Sequence, residues 1–365
     1  MPKTAAMPQP SADFFSRALL NWYHQHKRSL PWRDTQDPYA IWLSEIILQQ
    51  TRVAQGLPYY LRFIEAYPTV KAMAAATEEE VLRLWQGLGY YSRARNMHQT
   101  ARYIANDLDG NFPDNYQTLL KLKGVGEYTA AAIASFAFKE KVAVVDGNVF
   151  RVLARVYGLQ DDIATPAGKK VFQKLANELI HEDRPDEFNQ AVMEFGAIQC
   201  TPALPDCLFC PLQQVCFAFN HGLVQELPVK SKAKKARTRY FHYFVYTLGN
   251  KLYLRKRGPN DIWQGLYDFA LSSSEQKKLT FSEIVAETQA THEWIEPEQV
   301  KPPLKTYKHI LSHQRILADF YEIRLKNELP EAFLQETGLQ LFAPEQVEQL
   351  PKPVLISNYL KDADY

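Results

Sequence analysis

Three groups of residues in this chain have types and spacings that could do chemistry. The first lies in Leu119–Arg151, LLKLKGVGEYTAAAIASFAFKEKVAVVDGNVFR. Gly124 and Gly126 open a strongly helical run, and glycine takes backbone conformations that a side chain forbids. Such a turn leaves N–H groups unpaired at a helix N-terminus, where they can hold a phosphate. Asp146 follows twenty residues after Gly126, at the end of an apolar run. One helix and a short loop could bring its carboxylate beside the turn. An anion-binding hairpin next to an isolated Asp suggests chemistry on a nucleic acid strand. The structural alternative is a tight turn between core helices and an Asp that caps the next helix. The second group is Glu45, inside YAIWLSEIILQQTRV. An unpaired carboxylate is costly to bury, so Glu45 is paired, at a solvent edge or functional. The third is Cys200-x6-Cys207-x2-Cys210-x5-Cys216, all four cysteines of the chain. Four thiolates in one loop fit a metal centre, and the spacing lacks the two separated Cys pairs usual for zinc.

The elements that must position these groups are legible from periodicity. Ser11 is a plausible cap for a helix to about His26, with Phe14, Phe15, Ala18, Leu19 and Trp22 on one face. The run from Pro38 is apolar nearly all round, as expected of a buried helix. Further helices are predicted at about 54–66, 78–87, 91–108, 115–121, 126–138, 147–157, 166–181 and 185–198, so the first 225 residues read as all-α. The turn GLGYYSRARN sets two aromatics and two arginines beside glycines, a loop that could approach a strand and stack on it, or a capped helix junction. Residues 226–239 form a linker whose second half is basic. It could lie along phosphates or act as a solvated tether. From Tyr240 the pattern turns to strand: YFHYFVYTL and KLYLRKR flank Gly249-Asn250, a two-residue hairpin turn. RILADFYEIRL at 315–325 is a further strand. Short helices are predicted near 281–289, 344–350 and 353–360.

Composition bounds the reading. A chain of 365 residues suggests two or three domains. With a net charge of +1, any nucleic-acid site must come from local charge. No apolar run is long enough to span a bilayer, and MPKTAAMPQP reads as a disordered tail without a signal-peptide core. Clustered cysteines suit a reducing compartment.

LPWR at 30–33, SEIILQQTRV at 44–53, GLGYYSR at 87–93, LKGVGEYTA at 122–130, VDGNVFRV at 145–152 and the four cysteines occur in that order. Together they resemble the helix–hairpin–helix DNA glycosylases of the endonuclease III type, and most closely the adenine DNA glycosylase (MutY) family. The resemblance spans residues 12 to about 360 and is strongest through 229. It implies an all-α helix–hairpin–helix core with an iron–sulfur loop, followed by an α+β Nudix-like domain. The implied boundaries are 1–29 as tail and a helix packing with the cluster domain, 30–138 as a six-helix barrel, 139–225 as the cluster domain, 226–239 as linker, and 240–365 as the recognition domain. WQGLYDFA at 263–270 is similar to the family's Gly-Leu-Trp-Glu-Phe-Pro stretch, with Asp268-Phe269-Ala270 in place of Glu-Phe-Pro. The metal-binding Nudix box is absent, so this domain is expected to recognise and not hydrolyse.

The resemblance also implies roles. Cys200, Cys207, Cys210 and Cys216 would hold a [4Fe–4S] cluster, tying down a loop that carries basic or backbone groups to DNA. Glu45 would protonate the adenine, and Asp146 would stabilise or trap the sugar cation. Tyr128 and Asn148 would hydrogen-bond around them. Related glycosylase/lyases carry a Lys where this chain has Tyr128, and a phenol cannot form the imine that an amine can. Gly124, Val125 and Gly126 would hold a phosphate through backbone N–H groups. Gln50 and Tyr90 would fill the stack, and Arg33 would contact DNA. Leu311, Ser312 and His313 stand where the family has a Phe-Ser-His loop that reads the lesion. The expected partner is double-stranded DNA with adenine opposite 8-oxoguanine or guanine, met by a monomer in the bacterial cytosol or nucleoid. The alternatives are a bifunctional endonuclease III-like glycosylase/AP lyase, a non-catalytic Fe–S DNA-binding protein and a Nudix hydrolase.

Overall fold

The structure is a computed structural model that describes residues 9–231, 236–275, 278–291, 295–296, 299–311 and 314–365. Most of the N-terminal tail, part of the basic half of the linker, Ser312 and His313 lie outside the described residues. Contacts divide the chain into two units, Met1–Ala72 with Gln99–Lys232, and Met73–His98 with Ala233–Tyr365.

In chain order the helices before the linker are α1 (Ala12–His26), α2 (Pro38–Leu48), α3 (Val53–Ala66), α4 (Val70–Ala75), α5 (Glu78–Trp85), α6 (Ser92–Asp107), α7 (Tyr116–Leu119), α8 (Glu127–Phe138), α9 (Gly147–Tyr157), α10 (Pro166–Leu179), α11 (Pro185–Glu194) and α12 (Phe217–Asn220). Among the described residues no strand precedes Arg237. Their ends follow local chemistry. Ser11 accepts the Phe14 N–H and starts α1. Asp37 accepts the Tyr39 N–H, with Pro38 at the first helical position of α2. Tyr39 through Ile47 of α2 are all buried. α8 packs against α2, and its small residues Ala130, Ala131, Ala132 and Ala134 are all buried. α1 lies on the later helices of the unit: the Phe15 ring meets Tyr157 at 5.4 Å and Phe188 at 6.2 Å, edge-on.

The second unit is built on a seven-stranded mixed sheet of β1 (Arg237–Leu248), β2 (Lys251–Lys256), β3 (Tyr267–Asp268), β4 (Ala270–Ser274), β5 (Tyr307–Ile310), β6 (Gln314–Leu325) and β7 (Gln340–Phe342). The path runs β3-β2-β1-β6-β5, with β4 also on β1 and β7 on β2. β1 and β6 pair in parallel from Arg237↔Gln314 to Leu248↔Leu325; the other pairs are antiparallel. α13 (Phe281–Thr291) covers one face through Ile284. After α14 (Glu331–Thr337) and α15 (Pro344–Gln349), α16 (Val354–Asp362) covers the other face, its Tyr359 stacked on Phe320 at 4.1 Å. Met73–His98 belongs with this unit because α5 is bonded to it. Gln86 accepts the Lys352 N–H and donates to Ser357, and Arg83 donates to the Glu348 carbonyl.

The stretch read as a linker is fixed at its start. Leu227 is buried, its carbonyl accepts from Arg155 Nε at 3.1 Å, and the Val229 carbonyl accepts the Ile163 N–H at 3.1 Å. β1 begins at Arg237, three residues before the predicted start at Tyr240.

Candidate active site

Glu45 and Asp146 come from elements distant in sequence and face one chamber. Glu45 sits on α2 and is 6 % exposed. Asp146 caps α9: one carboxylate oxygen accepts the Asn148 and Val149 N–H groups, each at 2.8 Å, and the other accepts the Asn148 side-chain amide at 2.8 Å. The capping alternative is therefore real, and it coexists with a place on the chamber wall. The chamber has a volume of about 520 Å³ and is also lined by Tyr128, Asn148, Trp32 and Arg33, within the ~300–1,000 Å³ typical of ligand sites. Glu45, Tyr128 and Asp146 also line a more open groove of about 870 Å³ with Gln50, Gly124 and Gly126. The two carboxyls thus lie where the chamber meets the more open groove.

Their electrostatics differ. Burial pushes the Glu45 carboxyl from its ordinary 4.5 up to about 7, although Tyr128 hydrogen-bonds to it; the charge of Asp146 adds to the rise and that of Arg33 opposes it. Burial also raises the Asp146 carboxyl, but three hydrogen bonds and the Arg151 charge act against the rise. Burial raises the Tyr128 phenol well above its usual value, so it stays protonated and donates to Glu45. Burial thus raises both carboxyls, Glu45 to about 7, while at Asp146 three hydrogen bonds and the Arg151 charge favour the ionised form against that rise.

Arg151 is a residue that sequence reasoning missed. Its guanidinium donates to the Asn148 side-chain oxygen at 2.8 Å, the Gly196 carbonyl at 2.6 Å and the Cys200 carbonyl at 2.7 Å. It thereby fixes the amide that holds Asp146. The signal was present, since Asn148 and Arg151 are three apart on one helix face. Gly196 was missed as well. It lies in a π-helical turn, Phe195–Gln199, and a Cβ there would meet the Asn148 Cβ at 2.6 Å.

Of the two hairpin glycines only Gly124 takes a conformation that side chains disfavour; Gly126 is extended, with φ −89° and ψ 179°. Gly124 has φ +77°. Gly126 caps α8 with no side-chain hydrogen bond, and Glu127, Tyr128 and Thr129 of the first turn line the groove. Val125 departs from expectation, because its N–H donates to the Leu122 carbonyl at 3.2 Å and its side chain is buried. It anchors the turn and has no N–H to offer a phosphate. Arg33 departs too. Its guanidinium turns inward to Glu194 at 2.7 Å and to the Arg28 carbonyl at 3.0 Å. Glu194 is buried, and burial alone would raise its carboxyl; Arg28 and Arg33 pull it down to about 2 instead. Pairing with that buried charge is the reason Arg33 lines the chamber. Gln50 lines the groove. Both Gln50 (φ 55°) and Tyr90 (φ 49°) hold left-handed backbone conformations, unusual for side-chain residues and frequent at functional turns.

All four cysteines line one cavity with Arg155, Phe195 and Leu212. Arg155 donates to Cys200 Sγ at 3.4 Å and to the Thr201 and Pro202 carbonyls at 2.7 and 2.9 Å. Burial pushes the Cys210 thiol up to about 12 and raises Cys216, while N–H groups of Leu212, and of Phe219 and Ala218, act against those rises. Buried thiols with N–H donors become thiolates when a metal's charge is present. Among the described residues no three Cys, His, Asp or Glu groups are arranged to hold a metal ion. Of the basic or backbone groups expected of the loop, no Lys or Arg lies between Cys200 and Cys216, and Leu204, Leu208 and Phe209 are exposed. In the second unit, Leu311 donates its N–H to the Gln314 carbonyl at 2.8 Å.

Comparison with known proteins gives two family matches, an HhH-GPD superfamily base excision DNA repair protein over residues 43–180 and a NUDIX domain over 242–362. The chain is 46 % identical over 226 residues to the adenine DNA glycosylase of Rattus norvegicus, covering 59 % of this chain and 44 % of that protein. It therefore spans under half of that relative's length. It is 33 % identical over 310 residues to the adenine DNA glycosylase of Buchnera aphidicola subsp. Baizongia pistaciae, covering 82 % of this chain and 83 % of that one. Among solved structures, a thermostable thymine-DNA glycosylase matches with TM-score 0.53 and 30 % identity over 57 % of this chain and 97 % of its own. A non-covalent endonuclease III–DNA complex matches with TM-score 0.50 and 22 % identity over 59 % and 99 %, a likeness of fold. The helical part has the helix–hairpin–helix core, and the mixed sheet is Nudix-like.

Proposed function

The chain belongs to the adenine DNA glycosylase family, and from that premise we propose that it is a monofunctional glycosylase. It hydrolyses the N-glycosidic bond of adenine opposite 8-oxoguanine or guanine in duplex DNA and leaves an abasic site for base-excision repair. The observation that carries this reading is the proton-retaining Glu45, hydrogen-bonded by Tyr128 and sharing a chamber with Asp146.

A purine leaves as an anion only with difficulty, and protonation makes it a better leaving group. Glu45 supplies that proton from the chamber wall. As the bond breaks, positive charge develops on the sugar, and the Asp146 carboxylate stabilises it, electrostatically or as a nucleophile. Asn148, held between Asp146 and Arg151, keeps the carboxylate oriented. Water then adds to the sugar. Tyr128 stands at the position where a lyase needs an amine, so no imine forms and the strand stays intact. The first N–H groups of α8, behind Gly124 and Gly126, hold a strand phosphate. Gln50 and Tyr90 fill the space that the extruded adenosine vacates.

Cys200, Cys207, Cys210 and Cys216 hold a [4Fe–4S] cluster in this reading. When bound it supplies a cross-link and the charge that keeps the thiols ionised. The recognition residues for 8-oxoguanine are Leu311, Ser312 and His313. 8-oxoguanine offers an N7–H donor where guanine offers an acceptor, and the Ser312 hydroxyl can accept from it. The functional divisions are the barrel 30–138, the cluster domain 139–225, to which 1–29 returns, and the recognition domain 240–365. The protein acts as a monomer in the cytosol. Among the described residues no helix is long and apolar enough to cross a membrane.

The test uses duplexes with adenine opposite 8-oxoguanine, guanine or thymine, with strands examined before and after alkali. The expected result is free adenine from the first two, with breaks only after alkali. Breaks without alkali would establish a lyase. No adenine release, from protein carrying about four irons per chain, would overturn the proposal.

A further inference from the structure

Resting on the reading as a DNA glycosylase, we propose that Lys169 and Lys230 form a second phosphate clamp, binding backbone phosphodiesters of the strand that carries the extruded nucleotide. Both line the open groove that also holds Gly124, Gly126, Gln50 and Asp146. Both are exposed, and no carboxylate among the described residues pairs with either. The same groove is lined by the carboxyl groups of Glu127 and Asp146, and the two amines offset charge there that would repel a phosphate chain.

Local stability does not account for their positions. Lys169 is the fourth residue of α10, and the first turn of that helix has no acid. A cation there opposes the helix dipole. Lys230 lies where a loose tether was one expectation, yet its backbone is held on both sides. The Val229 carbonyl accepts the Ile163 N–H at 3.1 Å, and the Ser231 N–H donates to Asp162 Oδ1 at 3.2 Å. Asp162 also accepts the Thr165 N–H through its carbonyl at 3.0 Å, and Thr165 caps α10. One short segment, Asp162–Thr165, therefore fixes both lysine-bearing backbones. The hairpin offers N–H groups to one phosphate; the two lysines offer full charges to others along the same groove.

Full-length wild type, Lys169→Gln, Lys230→Gln, the double variant and Lys174→Gln are titrated with a duplex carrying a stable abasic analogue between 50 and 200 mM salt. Lys174 is exposed on α10 and absent from the groove's lining. Each neutralised phosphate contributes about 0.9 to the slope of log affinity against log salt. Each single variant is expected to lose about that amount and the double variant about twice as much, with Lys174→Gln unchanged and Lys→Arg at either site restoring the slope. Unchanged slopes in the two single variants, or an equal loss in Lys174→Gln, overturn the clamp while leaving the glycosylase reading intact. A wild-type protein that neither binds this duplex nor releases adenine overturns the functional reading, and the clamp with it.

Discussion

In the proposed reaction Glu45 joins the proton donor's role and a local instability in one carboxyl. Its folded proton affinity corresponds to about 7 against an ordinary 4.5. The folded state therefore binds this proton more tightly than the unfolded chain does. The resulting stabilisation is complete below about pH 4.5 and is lost as pH rises through 7. At about 1.4 kcal/mol per tenfold change in proton affinity, the difference is about 3 kcal/mol. Glu45→Gln cannot ionise, so its melting temperature should exceed that of wild type at pH 8 and approach it at pH 4.5. Parallel pH profiles of the two proteins in thermal melts would show that burial does not set this group's affinity. The same ionisation predicts that adenine release by wild type slows above about pH 7, as the acid loses its proton. Asp268, deep in the second unit, also has a carboxyl raised by burial, to about 6, but it is common to both proteins and cancels in the comparison.

At the scale of elements, Phe195–Gln199 governs more than its length suggests. Gly196 lies against Asn148, and an added Cβ would also come within 2.8 Å of the Asn148 carbonyl oxygen. Gly196→Ala must move the first turn of α9 and with it the Asp146 cap. The expected cost is about 1–3 kcal/mol of stability, with slower adenine release than at an equally destabilised distant site; an unaltered rate would mean that the turn tolerates the shift. Neither this contact nor the Arg33–Glu194 pair was legible in the sequence, because each joins segments brought together only by tertiary packing. What periodicity and capping determine was legible. Ser11 and Pro38 mark helix starts, the all-round apolar character of α2 marks its burial, and Gly249-Asn250 turns β1 into β2. β3 and β7, of two and three residues, are too short to carry a pattern. The parallel pairing of β1 with β6 is nonlocal and leaves no local trace. For the carboxyls, the sequence supplied candidates and the fold supplied their environments: the same Asp146 is both a helix cap and a chamber wall.

At the scale of the molecule, lesion choice and base removal are assigned to different parts of the chain. Deleting the C-terminal part is a poor test of that division, because Arg83 and Gln86 are bonded to residues near its end. Ser312→Ala is the cleaner variant. One discriminating contact is worth about 1–3 kcal/mol, so the preference for adenine opposite 8-oxoguanine over guanine should fall by roughly 5–150-fold, with the rate opposite guanine little changed. An unaltered ratio would remove Ser312 from the reading of the lesion. The central claim is that Glu45 protonates the departing adenine from a chamber it shares with Asp146. The most direct measurement is single-turnover release of free adenine by wild type and Glu45→Gln from a duplex with adenine opposite 8-oxoguanine, with duplex affinity measured alongside. The account predicts a fall of roughly 10²–10⁴-fold in release with binding retained. Near-normal release by Glu45→Gln would contradict it.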